Sequence, residues 1–116
     1  MQNQTFENID FSIENQVGYL SINNPPANTL STSTLNGLSE CFKQAQADQS
    51  VKVIVITGTG KMFVAGADIK EFTEAFNDAQ KGKALSQDAQ AVMNTIEAST
   101  KPVIAAINGA CLGGGL

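Results

Sequence analysis

Two short apolar segments of this chain each run directly into a glycine-rich loop, and this pattern constrains the possible folds more than any other feature. The segment 51–57 leads into a loop at 57–68, and the segment 103–107 leads into a loop at 108–115 that contains four glycines. Glycine lets backbone N–H groups come close to a ligand, because no side chain stands in the way. In α/β proteins, ligands bind at loops that leave the carboxyl ends of neighbouring parallel strands. The sequence therefore predicts a ligand site where these two loops meet.

The first half of the chain predicts a hairpin, a helix and a central strand. Weak alternation favours strands at 6–14 and 17–22 joined by a turn at Asn15-Gln16, and consecutive prolines then break the second strand within a loop at 23–27. Either Ser31 or Ser33 can cap the next helix, which is expected to end near Asp48. Its apolar residues recur at helical spacing: Leu35, Leu38, Phe42 and Ala45. The β-branched segment 51–57 predicts a central strand buried on both faces from 53 to 56.

The second half predicts two further helices and a last strand. Asp68 and Glu71 form a capping box, which favours a short helix to about Phe76. A polar, loose segment is expected at 77–83, followed by a helix over 84–98 that ends before Pro102. The apolar stripe of this helix is Leu85, Ala89, Val92, Met93 and Ile96. The segment 103–107 predicts a short buried strand. The order ββ-α-β-αα-β predicts an α/β chain with parallel strands and helical crossovers.

The composition excludes several classes of function. The chain has a net charge of -4, with seven lysines and no arginine, which argues against nucleic-acid or anionic-membrane partners. Its apolar runs are far shorter than a membrane span, and we expect no secretory signal at the N-terminus. The sequence has no histidine, so no Ser-His-Asp system and no usual Cys/His metal site can be assembled within it. Cys41 and Cys111 predict two reduced thiols in a cytoplasmic protein, with a single disulfide as the alternative.

Small residues in the two loops favour a site built from backbone groups. The N–H groups around Ala65-Gly66-Ala67 and around Gly113-Gly114-Gly115 could converge on one oxygen and form an oxyanion hole. The alternative is that each glycine loop serves only a tight turn, and periodicity alone leaves both interpretations open.

Two phosphate-binding motifs fail against these loops. Gly60-Lys61 resembles the end of a Walker A motif, but Val55 stands where that motif needs glycine and Met62 where it needs serine or threonine. In the second loop, Cys111 stands where the dinucleotide-binding motif G-x-G-x-x-G needs its second glycine.

Four segments together resemble the enoyl-CoA hydratase/isomerase, or crotonase, superfamily. They are 17–30, with the loop Asn-Asn-Pro-Pro-Ala-Asn-Thr-Leu; 53–58; 63–71, with Ala-Gly-Ala-Asp-Ile; and 101–115, which ends in the triple glycine. The resemblance covers essentially the whole chain, in order. It implies that residues 1–116 are the N-terminal part of a single crotonase-like domain, an incomplete ββα spiral.

The resemblance also implies roles for particular residues. An acyl-CoA thioester carbonyl would sit between the backbone N–H groups of Ala67 and Gly114, which would stabilise an enolate. The implied substrate-binding residues are Ala27, Ala65, Gly66, Ala67, Asp68, Ile69, Leu112 and Gly114. We expect Asp68 to be a helix cap rather than an acid or base, Lys70 to be solvated rather than bound to CoA phosphates, and Cys111 to be a small wall residue. No separate cofactor and no metal are implied, because coenzyme A is part of the substrate.

The family's two catalytic glutamates have no counterpart in this sequence. By motif position, the first would follow Leu116 and the second would lie further on, and neither Glu71 nor Glu97 occupies such a position. We therefore expect the chain alone to be inactive and the parent enzyme to hydrate 2-enoyl-CoA to 3-hydroxyacyl-CoA as a trimer or hexamer. An isomerase or another crotonase branch is one alternative. A non-catalytic binding or assembly fragment is the other.

Overall fold

The computed structural model describes residues 2–25, 27–64, 66 and 79–111. These residues form a mixed five-stranded sheet, a two-stranded sheet and two helices. The described elements are β1 (Gln2–Phe6), β2 (Ile9–Glu14), β3 (Val17–Ile22), α1 (Thr32–Ala47), β4 (Val53–Gly58), β5 (Met62–Val64), α2 (Ala79–Glu97), β6 (Val103–Ala106) and β7 (Ala110–Cys111). The strand order in the large sheet is β1-β2-β3-β4-β6, and β5 pairs with β7 separately. The α/β class and the parallel strands with a helical crossover are confirmed.

The N-terminal strands form an antiparallel meander. The turn between β2 and β3 is confirmed: Asn15 and Gln16 have φ of 52° and 67°, the left-handed values of a tight hairpin turn. The single strand predicted at 6–14 is wrong, because Asn8 has a φ of 59° and breaks it into β1 and β2. Asparagine tolerates this conformation better than most residues. The residues before Phe6, for which no strand was predicted, pair with β2.

Helix α1 packs on the meander through the predicted apolar stripe. Ser31, not Ser33, is the N-cap: its side-chain oxygen accepts a hydrogen bond from the Thr34 N–H at 3.2 Å. The stripe residues Leu35, Leu38, Phe42 and Ala45 are all buried. At Gly37 the helix backbone touches the Glu7 carbonyl so closely that a Cβ would lie 1.8 Å from the carbonyl oxygen. The helix is therefore seated directly on the turn between β1 and β2.

Strands β3, β4 and β6 run parallel at the centre and far side of the sheet. Strand β4 lies between β3 and β6, which confirms its predicted central position, although it begins at Val53 rather than at 51. The predicted burial on both faces from 53 to 56 is wrong for one face: Ile54 and Ile56 are buried, whereas Val53 and Val55 are only partly so. The predicted burial of the last strand is wrong. Strand β6 ends the sheet among the described residues, and Ile104 is 53% exposed.

Helix α2 is longer than its apolar periodicity predicts. It spans Ala79–Glu97, so the residues 79–83, expected to be loose, are helical. Alanine, glutamine and lysine in this segment are strong helix formers, and their polarity conceals that propensity from a search for apolar spacing. The helix ends before Pro102 as predicted. The helix predicted from Asp68 to Phe76 lies outside the described residues.

Candidate functional site

The two glycine-rich loops leave the sheet side by side. Strands β4 and β6 are parallel neighbours whose register pairs Ile54 with Val103 and Thr57 with Ala106. The hydroxyl of Thr57 donates to the Ala106 carbonyl at 2.8 Å, which ties the carboxyl ends of the two strands together. The prediction that both loops start at the carboxyl ends of adjacent parallel strands is confirmed.

Beyond the sheet, the two loops continue as a second pair of parallel strands. Met62 in β5 pairs with Ala110 in β7, and Val64 pairs with Cys111. The prediction of an uninterrupted loop over 57–68 is wrong, because β5 lies within it. Phe63 and Val64 are 6% and 2% exposed, so β5 is anchored in the core. The two loops are thus paired again after β4 and β6 end, with a register shift between the Met62 and Val64 pairs.

The side chain of Asn108 joins the two loops. Its Oδ1 accepts from the Gly58 N–H at 3.0 Å, and its Nδ2 donates to the carbonyls of Gly60 at 2.9 Å and Met62 at 3.2 Å. One amide of the second loop therefore satisfies three backbone groups of the first.

Asn28 makes similar contacts from the loop that follows β3. Its side-chain oxygen accepts from the Asn24 N–H at 2.9 Å, and its Nδ2 donates to the carbonyl of Met62 at 3.0 Å, with longer contacts to those of Thr59 and Phe63. Asn28 is 2% exposed, and its φ of 51° lies in the left-handed region. A buried amide with this many partners fixes the loop at 23–30 against the first glycine loop.

A backbone hydrogen bond extends this contact to the segment predicted to bind substrate. The Leu30 N–H donates to the Gly66 carbonyl at 2.8 Å. Gly66 is buried and has a φ of 110°, which favours glycine strongly.

Close backbone approach explains two of the glycines in the loops. A Cβ on Gly58 would lie 2.2 Å from the Met62 carbonyl oxygen, and one on Gly109 would lie 2.0 Å from the Lys61 carbonyl oxygen. Gly58 lets the first loop fold back on itself, and Gly109 lets the second loop pack directly on the first, so for these two glycines the tight-packing alternative holds.

Of the predicted site residues, the structure describes two. Ala27 lies half-buried in a turn of the 23–30 loop, and Gly66 is bonded to Leu30 in that same loop. The Leu30–Gly66 hydrogen bond brings the 23–30 loop to Gly66, and the substrate-binding roles of Ala27 and Gly66 stay predictions. The other predicted site residues lie outside the described residues: Ala65, Ala67, Asp68, Ile69, Leu112 and Gly114. Lys70 lies there too, whereas Cys111 is half-buried in β7.

Sequence reasoning missed Asn28 and Asn108. The sequence carries one signal for both: each asparagine lies where the chain leaves a strand or a proline turn. Asparagine suits such a position because it tolerates left-handed backbone and its side chain bonds nearby backbone groups.

An apolar cavity of about 500 Å³ lies on the core side of the sheet, between the sheet and α2. Its lining includes Ile22 and Ile56 from the sheet and Met93 and Ile96 from α2. Phe63 and Val64 of β5 also line it. Strand β5 therefore borders the apolar cavity and also accepts, at Met62, the hydrogen bonds from Asn28 and Asn108.

Of the titratable groups that the structure describes, the two with shifted pKa values lie away from the two loops. Burial raises the pKa of the Cys41 thiol, on α1, to about 12, so this thiol is not a nucleophile. The pKa of Asp48 at the end of α1 is lowered, chiefly by a hydrogen bond from the Ser50 hydroxyl. Among residues 2–25, 27–64, 66 and 79–111, the site is made of backbone groups and neutral side-chain amides. No helix within these ranges is long and apolar enough to cross a membrane.

Comparison with known proteins defines the class. Residues 12–116 match the family model described as enoyl-CoA hydratase/isomerase. The chain belongs to the enoyl-CoA hydratase/isomerase family, and it forms the N-terminal portion of the crotonase fold.

Particular relatives agree with this assignment. A probable enoyl-CoA hydratase of Bacillus subtilis is 46% identical over 108 residues, which cover 93% of this chain and 42% of that protein. A crotonyl-CoA hydratase of Syntrophomonas wolfei is 41% identical over 112 residues, covering 95% of this chain and 42% of the relative. A solved enoyl-CoA hydratase/carnithine racemase from Magnetospirillum magneticum superposes with a TM-score of 0.90 at 36% identity, covering 97% of this chain and 43% of that one. The chain thus spans less than half the length of these relatives.

Proposed function

We propose that the protein carrying this chain hydrates 2-enoyl-CoA to 3-hydroxyacyl-CoA, and that the two glycine loops supply the backbone donors for the thioester oxygen. One observation carries the proposal: the loops leave adjacent parallel strands and are cross-linked by Asn108 and by the β5–β7 pairing. The relatives described as enoyl-CoA and crotonyl-CoA hydratases support this reaction.

The proposed site acts on charge that develops during the reaction. When water adds to C3 of the enoyl group, the electron pair of the double bond moves toward the thioester, and negative charge accumulates on the carbonyl oxygen. The N–H groups of Ala67 and Gly114 are proposed to donate to that oxygen. Proton transfer to C2 then restores the thioester. Donors aimed at the enolate oxygen lower the barrier because they bind the transition state more strongly than the substrate.

The other roles follow the family resemblance. Ala27, Ala65, Gly66, Asp68, Ile69 and Leu112 are proposed to line the acyl-CoA site. Proton transfer is proposed to come from the two glutamates whose motif positions follow Leu116. The 116-residue chain on its own is therefore expected to bind acyl-CoA without hydrating it. The whole enzyme is proposed to be a trimer or hexamer.

A second candidate is an enoyl-CoA isomerase. The description of the matching family names both activities, and a double-bond shift, through a dienolate, also places negative charge on the thioester oxygen. The two differ in the groups that move protons, so the residue after Leu116 decides between them: a glutamate there supports the hydratase.

Two measurements test the proposal. Purified 116-residue chain is titrated with crotonyl-CoA and with free coenzyme A in a calorimeter, and the chain is expected to bind the thioester more tightly. The protein from the whole gene is then assayed for loss of crotonyl-CoA absorbance. The proposal is wrong if the whole protein leaves crotonyl-CoA unchanged, or if the chain shows no preference for the thioester.

A further inference from the structure

Two side-chain amides converge on one backbone carbonyl of the first glycine loop. The Nδ2 atoms of Asn28 and Asn108 lie 3.0 Å and 3.2 Å from the Met62 carbonyl oxygen. They reach it from different segments, one following β3 and the other following β6. We call this pair of amides on the Met62 carbonyl the amide brace.

Each amide also holds the backbone on its own side. Asn108 accepts from the Gly58 N–H and donates to the Gly60 carbonyl. Asn28 accepts from the Asn24 N–H. The amide brace therefore fixes three segments relative to one another: 23–30, 58–64 and 107–111.

The brace is connected to the peptide group that carries a proposed donor. The Gly66 carbonyl and the Ala67 N–H belong to one planar peptide group, and in a trans peptide they point in opposite directions. The Leu30 N–H holds that carbonyl at 2.8 Å, and Leu30 follows Asn28 by two residues. A shift of the 23–30 loop would therefore move the Gly66 carbonyl, which belongs to the same peptide group as the proposed donor.

We propose that Asn28 and Asn108 are positioning residues, which set the relative placement of the two glycine loops so that their donors meet on one oxygen. The inference rests on the proposed function. Neither side chain needs to touch substrate. Because donors of this kind act mainly on the charge of the transition state, a misplaced loop should lower kcat more than it raises KM.

The first test compares three variants of the whole enzyme with crotonyl-CoA as substrate. Asn108→Ala deletes one amide of the brace, and Asn28→Gly deletes the other while keeping the left-handed φ accessible. Asn94→Ala is the control, because this exposed asparagine on α2 also loses a side-chain hydrogen bond, to Gln90 at 3.0 Å. We expect kcat to fall roughly 10- to 100-fold in both brace variants, with KM nearly unchanged, since a misplacement of about 1 Å costs this much. A lower melting temperature with unchanged kcat, measured well below that temperature, would mean a purely structural role and overturn the proposal.

The second test does not depend on activity. Amide hydrogen exchange is followed in the same variants, and Asn108→Ala is expected to lose protection at Gly58 and in β5 and β7, with the β2–β3 hairpin unchanged. Unchanged protection in β5 and β7 would overturn the proposal even if the enzyme is active. If the unsubstituted enzyme does not hydrate crotonyl-CoA while the exchange result holds, the proposed function fails and the brace stands as a structural device.

Discussion

Replacement of Gly109 by alanine tests how tightly the two glycine loops are packed. The new Cβ would lie 2.0 Å from the Lys61 carbonyl oxygen and 2.7 Å from its carbon. Ordinary contact begins at 3.4 Å, so the two loops would have to separate by about 1.4 Å. The obstructing atoms belong to backbone, and no flexible side chain can move aside to relieve the contact.

The cost follows from the hydrogen bonds that the separation breaks. Asn108 donates to the Gly60 and Met62 carbonyls at 2.9 Å and 3.2 Å, and a further 1.4 Å takes both contacts beyond hydrogen-bonding distance. At about 0.5–1.5 kcal/mol for each of the two bonds, and with overpacking strain of about 1–3 kcal/mol, Gly109→Ala should destabilise the chain by about 2–6 kcal/mol.

Urea unfolding followed by far-ultraviolet circular dichroism measures this free energy. The matched control is Gly60→Ala in the first glycine loop. Its Cβ would meet nothing within 4 Å, so only its φ of +79° penalises alanine, by about 1–2 kcal/mol. Equal losses in the two variants, or a smaller loss for Gly109→Ala, would refute the inference that the loops are in direct backbone contact.

Three further predictions concern the charged and titratable groups. Lys101 Nζ donates to two carbonyls at the C-terminal end of α1, both at 2.8 Å, so Lys101→Met should cost about 1.5–3 kcal/mol in urea unfolding; no loss would contradict the capping role. Cys41 is buried with its pKa raised to about 12, so a disulfide reagent at pH 8 should modify Cys111 first and Cys41 only after denaturant is added; equal rates would contradict this. The same raised pKa means that the stability contributed by Cys41 is complete below its unfolded pKa of about 9 and is lost as the pH rises toward 12. Because the pKa of Asp48 is lowered, the stability that its carboxylate contributes is present above the unfolded pKa and is lost as the pH falls through the folded pKa. Ser50→Ala removes the hydroxyl and should raise the Asp48 pKa in an NMR titration; an unchanged pKa would exclude the hydroxyl as the cause of the shift.

The elements that the sequence predicts well are those whose side chains repeat with a clear period. Helix α1 has an apolar stripe and a serine cap, and β3 and β4 have dense β-branched or alternating residues. The errors occur where the local pattern is weak. A single left-handed residue, Asn8, divides a run of alternating residues into two strands, and the polar start of α2 resembles a loop. Burial of β6 depends on what covers its outer side, which no local pattern specifies.

The same distinction between local patterns and long-range contacts applies to the candidate site. The glycine loops are visible in the sequence because glycine at a strand end has a local meaning, and the adjacency of β4 and β6 follows from crossover connections. The amide brace is only partly visible: an asparagine where the chain leaves a strand or a turn is a signal, but most of the backbone groups that Asn28 and Asn108 bond lie 31 to 50 residues away. Such contacts depend on the final placement of three segments, and an isolated asparagine carries no sign of its partners.

The central claim is that the two loops place backbone donors on a thioester oxygen. Infrared difference spectroscopy of crotonyl-CoA labelled with ¹³C at the thioester carbonyl measures this interaction directly. If two N–H groups donate to the oxygen, the carbonyl stretch should move to lower frequency on binding, and Asn108→Ala should reverse part of the shift. A bound thioester whose carbonyl stretch matches that of free crotonyl-CoA in water would contradict the account.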